Sequence, residues 1–516
     1  MQLIDFFDRG AELWPERACF HDGQTATSYR EVRETSRRIA AGLRAAGLQT
    51  GAMVAVYSPN TVRAFECILG ILRAGCVWVP LNARNSIETN VYILHDSDCE
   101  WLFCHSDFRE HAARILSDVP AISGLVGIGD GSAWDNPFEQ WIAPHAALCE
   151  RVDRDADDVA VIISTGGTTG YPKGVMLTHL NFETMIANFA AAMPFDKPPV
   201  HLVAAPITHA AGVMCFWTLA YGATHVIMPR VDLEPLLDNI QRFGVTALFL
   251  PPTAIYMLLA HPRVRAIDYS SLEYFVYGAA PMSADKLREA REVFGPVLAQ
   301  LYGQAEAPMM CTLLPPREHL FSSDAGEEKR LSSCGRRTLL TPVEIMDAQG
   351  TLLGPEETGE IVVRGNLVMK GYYKQPELTA EVSRFGWHHT GDIGYKDAEG
   401  YVYIVDRAKD MIISGGLNVY PSEVERVIWS HPAVQDCAVI GVSDDKWGEA
   451  VKAVIELKPG CTIDEAEILS LCKQKLGSVL APKSVEVWDA LPRSPVGKVL
   501  KKEIRKKYWE GRERMV

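Results

Sequence analysis

The chain has 516 residues, 47% hydrophobic and 22% charged, with a formal net charge of −14. That length exceeds one ordinary domain of roughly 100–200 residues and predicts one large unit with at least one smaller one. The composition excludes a disordered or fibrous chain, and the acid surplus argues against nucleic acid or an anionic membrane as the main partner, since both bind through Lys and Arg.

The N-terminal stretch "MQLIDFFDRGAELWPE" lacks a basic segment followed by an apolar run, and none of the twelve cysteines forms a Cys-x-x-Cys pair. A reducing, cytoplasmic setting is therefore expected. Ser28 and Glu31 have capping-box spacing, and Val32, Ile39 and Leu43 then recur at helical intervals up to Gly47. "MVAVYSPN", "TVRAFECILGILRAG" and "CVWVPLN" follow as strand, crossover helix and strand, which requires parallel pairing. His201–Met228 is apolar enough to resemble a membrane span, but Pro206, Thr208, His209 and Gly222 interrupt it. It is better read as strand, loop, helix and second strand. With similar runs at Val159–Ile163, Ala247–Leu250 and Glu273–Tyr277, the first two thirds read as layered α/β. After Gly335 the pattern becomes β-rich hairpins, and beyond "VDRAKDMIISGG" a compact α+β module follows. The expected division is an N-terminal domain of 1–406, its β-rich part about 335–406, and a C-terminal domain of 407–516.

"STGGTTGYPKGV" (Ser164–Val175) follows the apolar strand "VAVIIS". A strand running into glycines aims successive N–H groups at one point, and hydroxyls and a mobile lysine beside them suit phosphate. The spacing is not that of a P-loop: Tyr171 and Pro172 separate Gly170 from Lys173, and no hydroxyl follows the lysine. Taken alone, a solvent-exposed glycine turn stays open.

"TGGTTGYPKGV" resembles the phosphate-loop signature of the adenylate-forming superfamily, which includes acyl-CoA synthetases, luciferases and peptide-synthetase adenylation domains. Further signatures follow in that family's order: "PITHAAG" (Pro206–Gly212), "YGAAP" (Tyr277–Pro281), "YGQAE" (Tyr302–Glu306), "GWHHTGDIG" (Gly386–Gly394), "DRAKDMIISGGLNVYPSEVE" (Asp406–Glu425) and "PRSPVGKVLKK" (Pro492–Lys502). The chain departs from the common pattern at Gly166, usually Ser, and at Ala305, usually Thr, losing a hydroxyl at each.

The resemblance implies a large α/β domain with a small mobile α+β domain, and an AMP-forming acid–thiol ligase. A carboxylate and ATP give an acyl adenylate and pyrophosphate, and a thiol then takes the acyl group. Lys498 is matched to the α-phosphate, where charge gathers. Thr165, Gly166, Gly167, Thr168, Thr169, Gly170 and Lys173 are matched to the outer phosphates, and Glu306 to Mg²⁺, which prefers hard oxygen ligands. Tyr302 and Gly303, with Gly278, Ala279 and Ala280, correspond to the adenine site, while Asp392 corresponds to the ribose and Arg407 to the ribose or phosphate. His209 would gate the carboxylate end of an acyl pocket walled by Ala210, Ala211, Gly212, Ala305 and Ala307. Lys409 is the expected hinge, with Ser414, Gly415, Gly416 and Trp447 near the thiol arm in the second pose.

The small wall residues favour a medium or long fatty, alicyclic or aromatic acid, and no Lys or Arg is evident for a second carboxylate. Coenzyme A is the expected acceptor; a carrier-protein phosphopantetheine is the alternative, ahead of luciferase-type oxygenation or an inactive AMP sensor. A monomer or homodimer is expected.

Overall fold

The structure is a computed structural model, describing residues 1–147, 150–165, 172–280, 282–319, 329–414, 417–444, 447–493 and 499–509. Contacts divide it into two compact units, one of Met1–Val343 with Val363–His388 and the other of Glu344–Val362 with His389–Val516. Most of the β-rich part thus clusters with the C-terminal module, where the Ser422 amide donates to the Asp406 carboxylate at 2.8 Å, whereas Arg336–Arg337 and Gly371–Tyr372 pair with strands of the first unit.

Local chemistry accounts for the elements in the first unit. Ser28 and Glu31 close the capping box of helix Tyr29–Ala45, whose Val32, Ile39 and Leu43 are buried. Strand Met53–Tyr57, helix Val62–Arg73 capped by Thr61, and strand Val77–Leu81 form the expected parallel unit. Val200–Val203, a loop, helix Ala210–Leu219 and Thr224–Ile227 likewise replace any membrane span. Among the described residues no helix is long and apolar enough to cross a membrane.

The first unit contains two large sheets. In the nine-stranded one, Leu298–Gln304, Tyr274–Gly278, Ala247–Leu250, Val200–Val203 and Thr224–Ile227 lie side by side in parallel, so their carboxyl ends share one edge. In the seven-stranded sheet the last parallel strand, Val159–Thr165, turns back antiparallel into Lys173–Thr178. Open α/β sheets bind ligands beyond carboxyl edges of this kind.

The second unit holds a four-stranded sheet that includes Val343–Met346, Gly359–Val363, His388–Lys396 and Val402–Arg407. A second sheet there is built around the long antiparallel pair Val434–Asp444 and Gly448–Leu457. Helices Pro421–Trp429 and Glu465–Leu480 contribute to the apolar core against it. The described cysteines are free thiols, all buried except Cys461.

Candidate active site

Thr165 and Lys173 face each other across the last rung of the antiparallel pair. Gly166, Gly167, Thr168, Thr169 and Gly170 lie outside the described residues. The Lys173 ammonium stands 5.3 Å from the centroid of the Tyr372 ring, a cation–π distance. The Tyr372 hydroxyl in turn donates to Glu306 Oε1 at 2.8 Å. Burial and the adjacent Glu306 carboxylate push the Tyr372 phenol well above its usual range, so it remains a donor.

Glu306 owes its placement to a hairpin. Gln304 pairs with Ala307, which leaves Ala305 and Glu306 as the turn between antiparallel strands. Its carbonyl accepts from the Met369 amide at 2.7 Å, tying the turn to the chain that carries Tyr372. Strand Gly371–Tyr372 pairs with Lys173–Thr178, so Lys173, Tyr372 and Glu306 are brought together by backbone hydrogen bonding as well as by side chains. Tyr372 has no counterpart in the sequence reading. "KGYYKQPE" carries no motif, and its partner is 66 residues away.

Tyr302 lies in the adjoining strand with 9% exposure. Gly303 follows at a bulge, where a Cβ would meet the Met309 amide nitrogen at 2.5 Å, so only glycine fits. Gly278 ends the neighbouring strand, and Ala279 and Ala280 lie exposed beyond it. Ala279 has φ +68°, a strained conformation for an L-residue and one that collects at functional sites.

His209 caps helix Ala210–Leu219 through its backbone, and its Nδ1 lies 2.9 Å from the Thr208 hydroxyl. Burial, and then the nearby Arg84 charge, push its pKa down to about 4, so the imidazole is neutral at physiological pH. Ala210 and Ala305 are half-buried, whereas Ala211 and Ala307 are buried. A Cβ on Gly212 would lie 1.8 Å from the Ile207 carbonyl oxygen, so the helix start rests directly on the preceding loop. A cavity of about 50 Å³ beside this loop is lined by residues that include Asn60, Asn82, Arg84, Thr208 and Arg230. Arg84 and Arg230 are thus cations near the His209 loop that the sequence reading did not single out.

In the second unit, Asp392 and Arg407 are directly opposed on antiparallel strands, and Arg407 Nε bonds Asp392 Oδ1 at 2.7 Å. Asp392 is 3% exposed. Lys409 occupies the short helical turn Ala408–Asp410 that follows. Ser414 is buried, while Trp447 is exposed, its amide bonded to Asp444. Gly415, Gly416 and Lys498 lie outside the described residues. Lys501, three positions beyond Lys498, pairs with the buried Glu425 carboxylate at 2.7 Å.

Residues 7–373 match the AMP-binding enzyme family, and residues 423–498 match its C-terminal domain. A medium/long-chain-fatty-acid–CoA ligase, FadD8 of Mycobacterium tuberculosis, is 37% identical over 92% of this chain and 84% of its own. A feruloyl-CoA synthase of an Amycolatopsis species is also 37% identical, over 97% of this chain and 98% of its own. The crystal structure of ATP-bound MatB from Rhodopseudomonas palustris superposes with a TM-score of 0.88 at 32% identity, covering 98% of this chain and 99% of that one.

Proposed function

The chain belongs to the AMP-binding enzyme family, and from that premise we propose that it is an AMP-forming acyl-CoA ligase acting on a hydrophobic carboxylic acid. The observation that carries the reading is the grouping of Lys173, Tyr372 and Glu306. It sets one cation and one carboxylate on a shared tyrosine at the end of the strand pair that flanks the glycine-rich loop.

In the first half-reaction the acid's carboxylate oxygen attacks the α-phosphorus of ATP, and the bond to pyrophosphate breaks. Reactant and nucleotide are both anions, so catalysis requires cations at the phosphorus and on the leaving group. Lys498 serves the α-phosphate in this reading, and Lys173 with the loop hydroxyls serves the departing pyrophosphate. Glu306 would hold Mg²⁺, and a carboxylate at a half-buried turn suits that hard cation. When bound, the metal would supply charge neutralisation on the phosphates. The Tyr372 hydroxyl, by bonding only Oε1, orients the carboxylate.

Asp392, paired with Arg407, would accept the ribose hydroxyls, while Tyr302 and the Gly278–Ala280 backbone would line the adenine. Neutral His209 would stand at the acid's carboxylate end as a gate and not as a charge. In the second half-reaction a thiol attacks the acyl carbon and AMP leaves. The pivot for the required change of pose would be Lys409, inside the second unit, where a few backbone torsions in the 408–410 turn can swing the C-terminal module.

Alanines at the proposed pocket wall support a medium or long fatty, alicyclic or aromatic acid. The fatty-acid and feruloyl specificities named for the two relatives agree with that range. Coenzyme A is the preferred acceptor, and a cytoplasmic monomer or homodimer the preferred state. Product analysis after incubation with octanoate, hexadecanoate, ferulate or benzoate, ATP, Mg²⁺ and either coenzyme A or a holo-carrier protein tests the acceptor. Thioester on coenzyme A supports the reading, and thioester on the carrier protein alone replaces it with a carrier-charging ligase.

A further inference from the structure

Asn60 lies in the loop that follows strand Met53–Tyr57 of the seven-stranded sheet, and it is 5% exposed. Its Nδ2 donates to the Ala205 carbonyl at 2.9 Å and to the Met228 carbonyl at 3.0 Å. Its Oδ1 accepts from the Ile207 amide at 2.9 Å. Two carbonyls on one side and an N–H on the other fix which end of the amide is which. These partners follow Val200–Val203 and Thr224–Ile227, strands of the nine-stranded sheet. One side chain therefore joins the carboxyl edges of the two sheets.

The Ile207 peptide is gripped from both directions. Its N–H bonds Asn60, and its carbonyl is approached so closely by Gly212 that a Cβ there would lie 1.8 Å from the oxygen. His209 is two residues further on. Its amide donates to the Pro206 carbonyl at 3.1 Å, and the Thr208 hydroxyl lies 2.9 Å from its Nδ1. The turn carrying the imidazole is thus a short, internally bonded unit whose height above the sheet edge depends on the Asn60 anchorage.

We propose that Asn60 is a positioning residue for the acid-binding step: by bonding Ala205 and Ile207 it sets where His209 stands against the reacting carboxylate. This rests on the reading of His209 as the gate. Asn60 contacts no substrate in this account. Its loss should disturb the acid and spare ATP, whose phosphates are assigned to Lys173 and Lys498. Asn60→Asp keeps the shape but, when ionised, turns an anionic oxygen towards two carbonyls. Once protonated it regains one O–H donor and an acceptor for Ile207.

The test compares Asn60→Ala, Asn60→Asp and His209→Ala in ATP–pyrophosphate exchange, using whichever of octanoate, hexadecanoate, ferulate and benzoate the unaltered enzyme activates fastest. Hydrogen exchange at the Ile207 amide provides a reading that needs no acid. For Asn60→Ala the expected result is a loss on the order of ten- to a hundredfold in kcat/KM for the acid, with the KM for ATP within about twofold, and faster exchange at Ile207. Asn60→Asp should show that loss at about pH 8 and recover part of it at about pH 6, relative to the unaltered enzyme. Unchanged kcat/KM for the acid in Asn60→Ala, where His209→Ala loses it, overturns the proposal. So does a rise in the KM for ATP as large as the loss in kcat/KM for the acid, which marks a merely structural role. If His209→Ala has no effect, the gate reading fails instead; Ile207 exchange then decides whether Asn60 sets the loop, and unchanged exchange overturns that as well.

Discussion

Tyr372 donates its hydroxyl to Glu306 Oε1 at 2.8 Å, across 66 residues of sequence. A hydrogen bond to an ionised group contributes roughly 1.5–3 kcal/mol, and here it fixes the orientation of the carboxylate assigned to Mg²⁺. Tyr372→Phe keeps the ring beneath Lys173 and removes only that donor. The Mg²⁺ concentration giving half-maximal exchange should rise about tenfold, with a larger rise in Glu306→Gln. Mg²⁺ titration of ATP–pyrophosphate exchange checks both variants, and an unchanged requirement in Glu306→Gln removes Glu306 from the metal assignment.

Acid should destabilise the first unit. Burial pushes His179, His209, His225 and His319 down to about 4 from an ordinary value near 6.5. Between those values the unfolded chain binds protons that the folded chain does not, so stability falls as pH falls, by about 1.4 kcal/mol per pH unit for each such group. His225 and His201 share the Thr218 hydroxyl, at 2.8 and 3.0 Å, in a core that gives an imidazolium no room for water. Glu66 acts in the opposite sense: burial raises it to about 7, so its protonation stabilises the fold as pH falls from there. Four histidines outweigh one glutamate, and the thermal midpoint should drop steadily from about pH 6.5 to about pH 4.5. A flat midpoint over that range contradicts the burial of neutral imidazoles.

Much of this architecture can be read directly from local chemistry. The Ser28–Glu31 box, the Thr61 cap and the apolar runs around Val54 and Val79 each specify an element within a few residues of themselves. The phosphate-loop strand likewise ends at Thr165, where the glycines begin. Asn60 and Tyr372 were not legible, because each acts on a partner 147 or 66 residues distant and neither belongs to a periodic pattern. Arg84 was invisible for the same reason. Its nearness to His209 arises only when the carboxyl edges of the two sheets of the first unit meet. The division of the β-rich part between the two units also depends on long-range pairing that no window of sequence contains.

Lys501 and Glu425 form a buried pair in the second unit, with Glu425 also accepting from the Val439 amide at 2.7 Å. Burial favours the neutral acid, and Lys501 opposes that shift. Lys501→Ala leaves the carboxylate without its cation and should cost the second unit about 3–5 kcal/mol. Hydrogen exchange across helix Pro421–Trp429 measures this locally. A change below about 1 kcal/mol would class the pair with exposed ones.

The two half-reactions should separate by variant. Lys498→Ala is expected to abolish adenylation while leaving thioester formation from supplied acyl adenylate largely intact. Lys409→Pro should damage mainly the second step, because proline removes torsional freedom at the proposed pivot. Equal losses in both half-reactions for Lys498→Ala would contradict the two-pose account.

The central claim is acid-dependent adenylation followed by transfer to coenzyme A. ATP–pyrophosphate exchange across octanoate, hexadecanoate, ferulate and benzoate, with AMP and thioester then quantified after adding coenzyme A, tests it most directly. The account predicts exchange with at least one of these acids, and AMP and acyl-CoA formed in equal amounts. No exchange with any of them, or exchange that yields no thioester when coenzyme A is present, would contradict it.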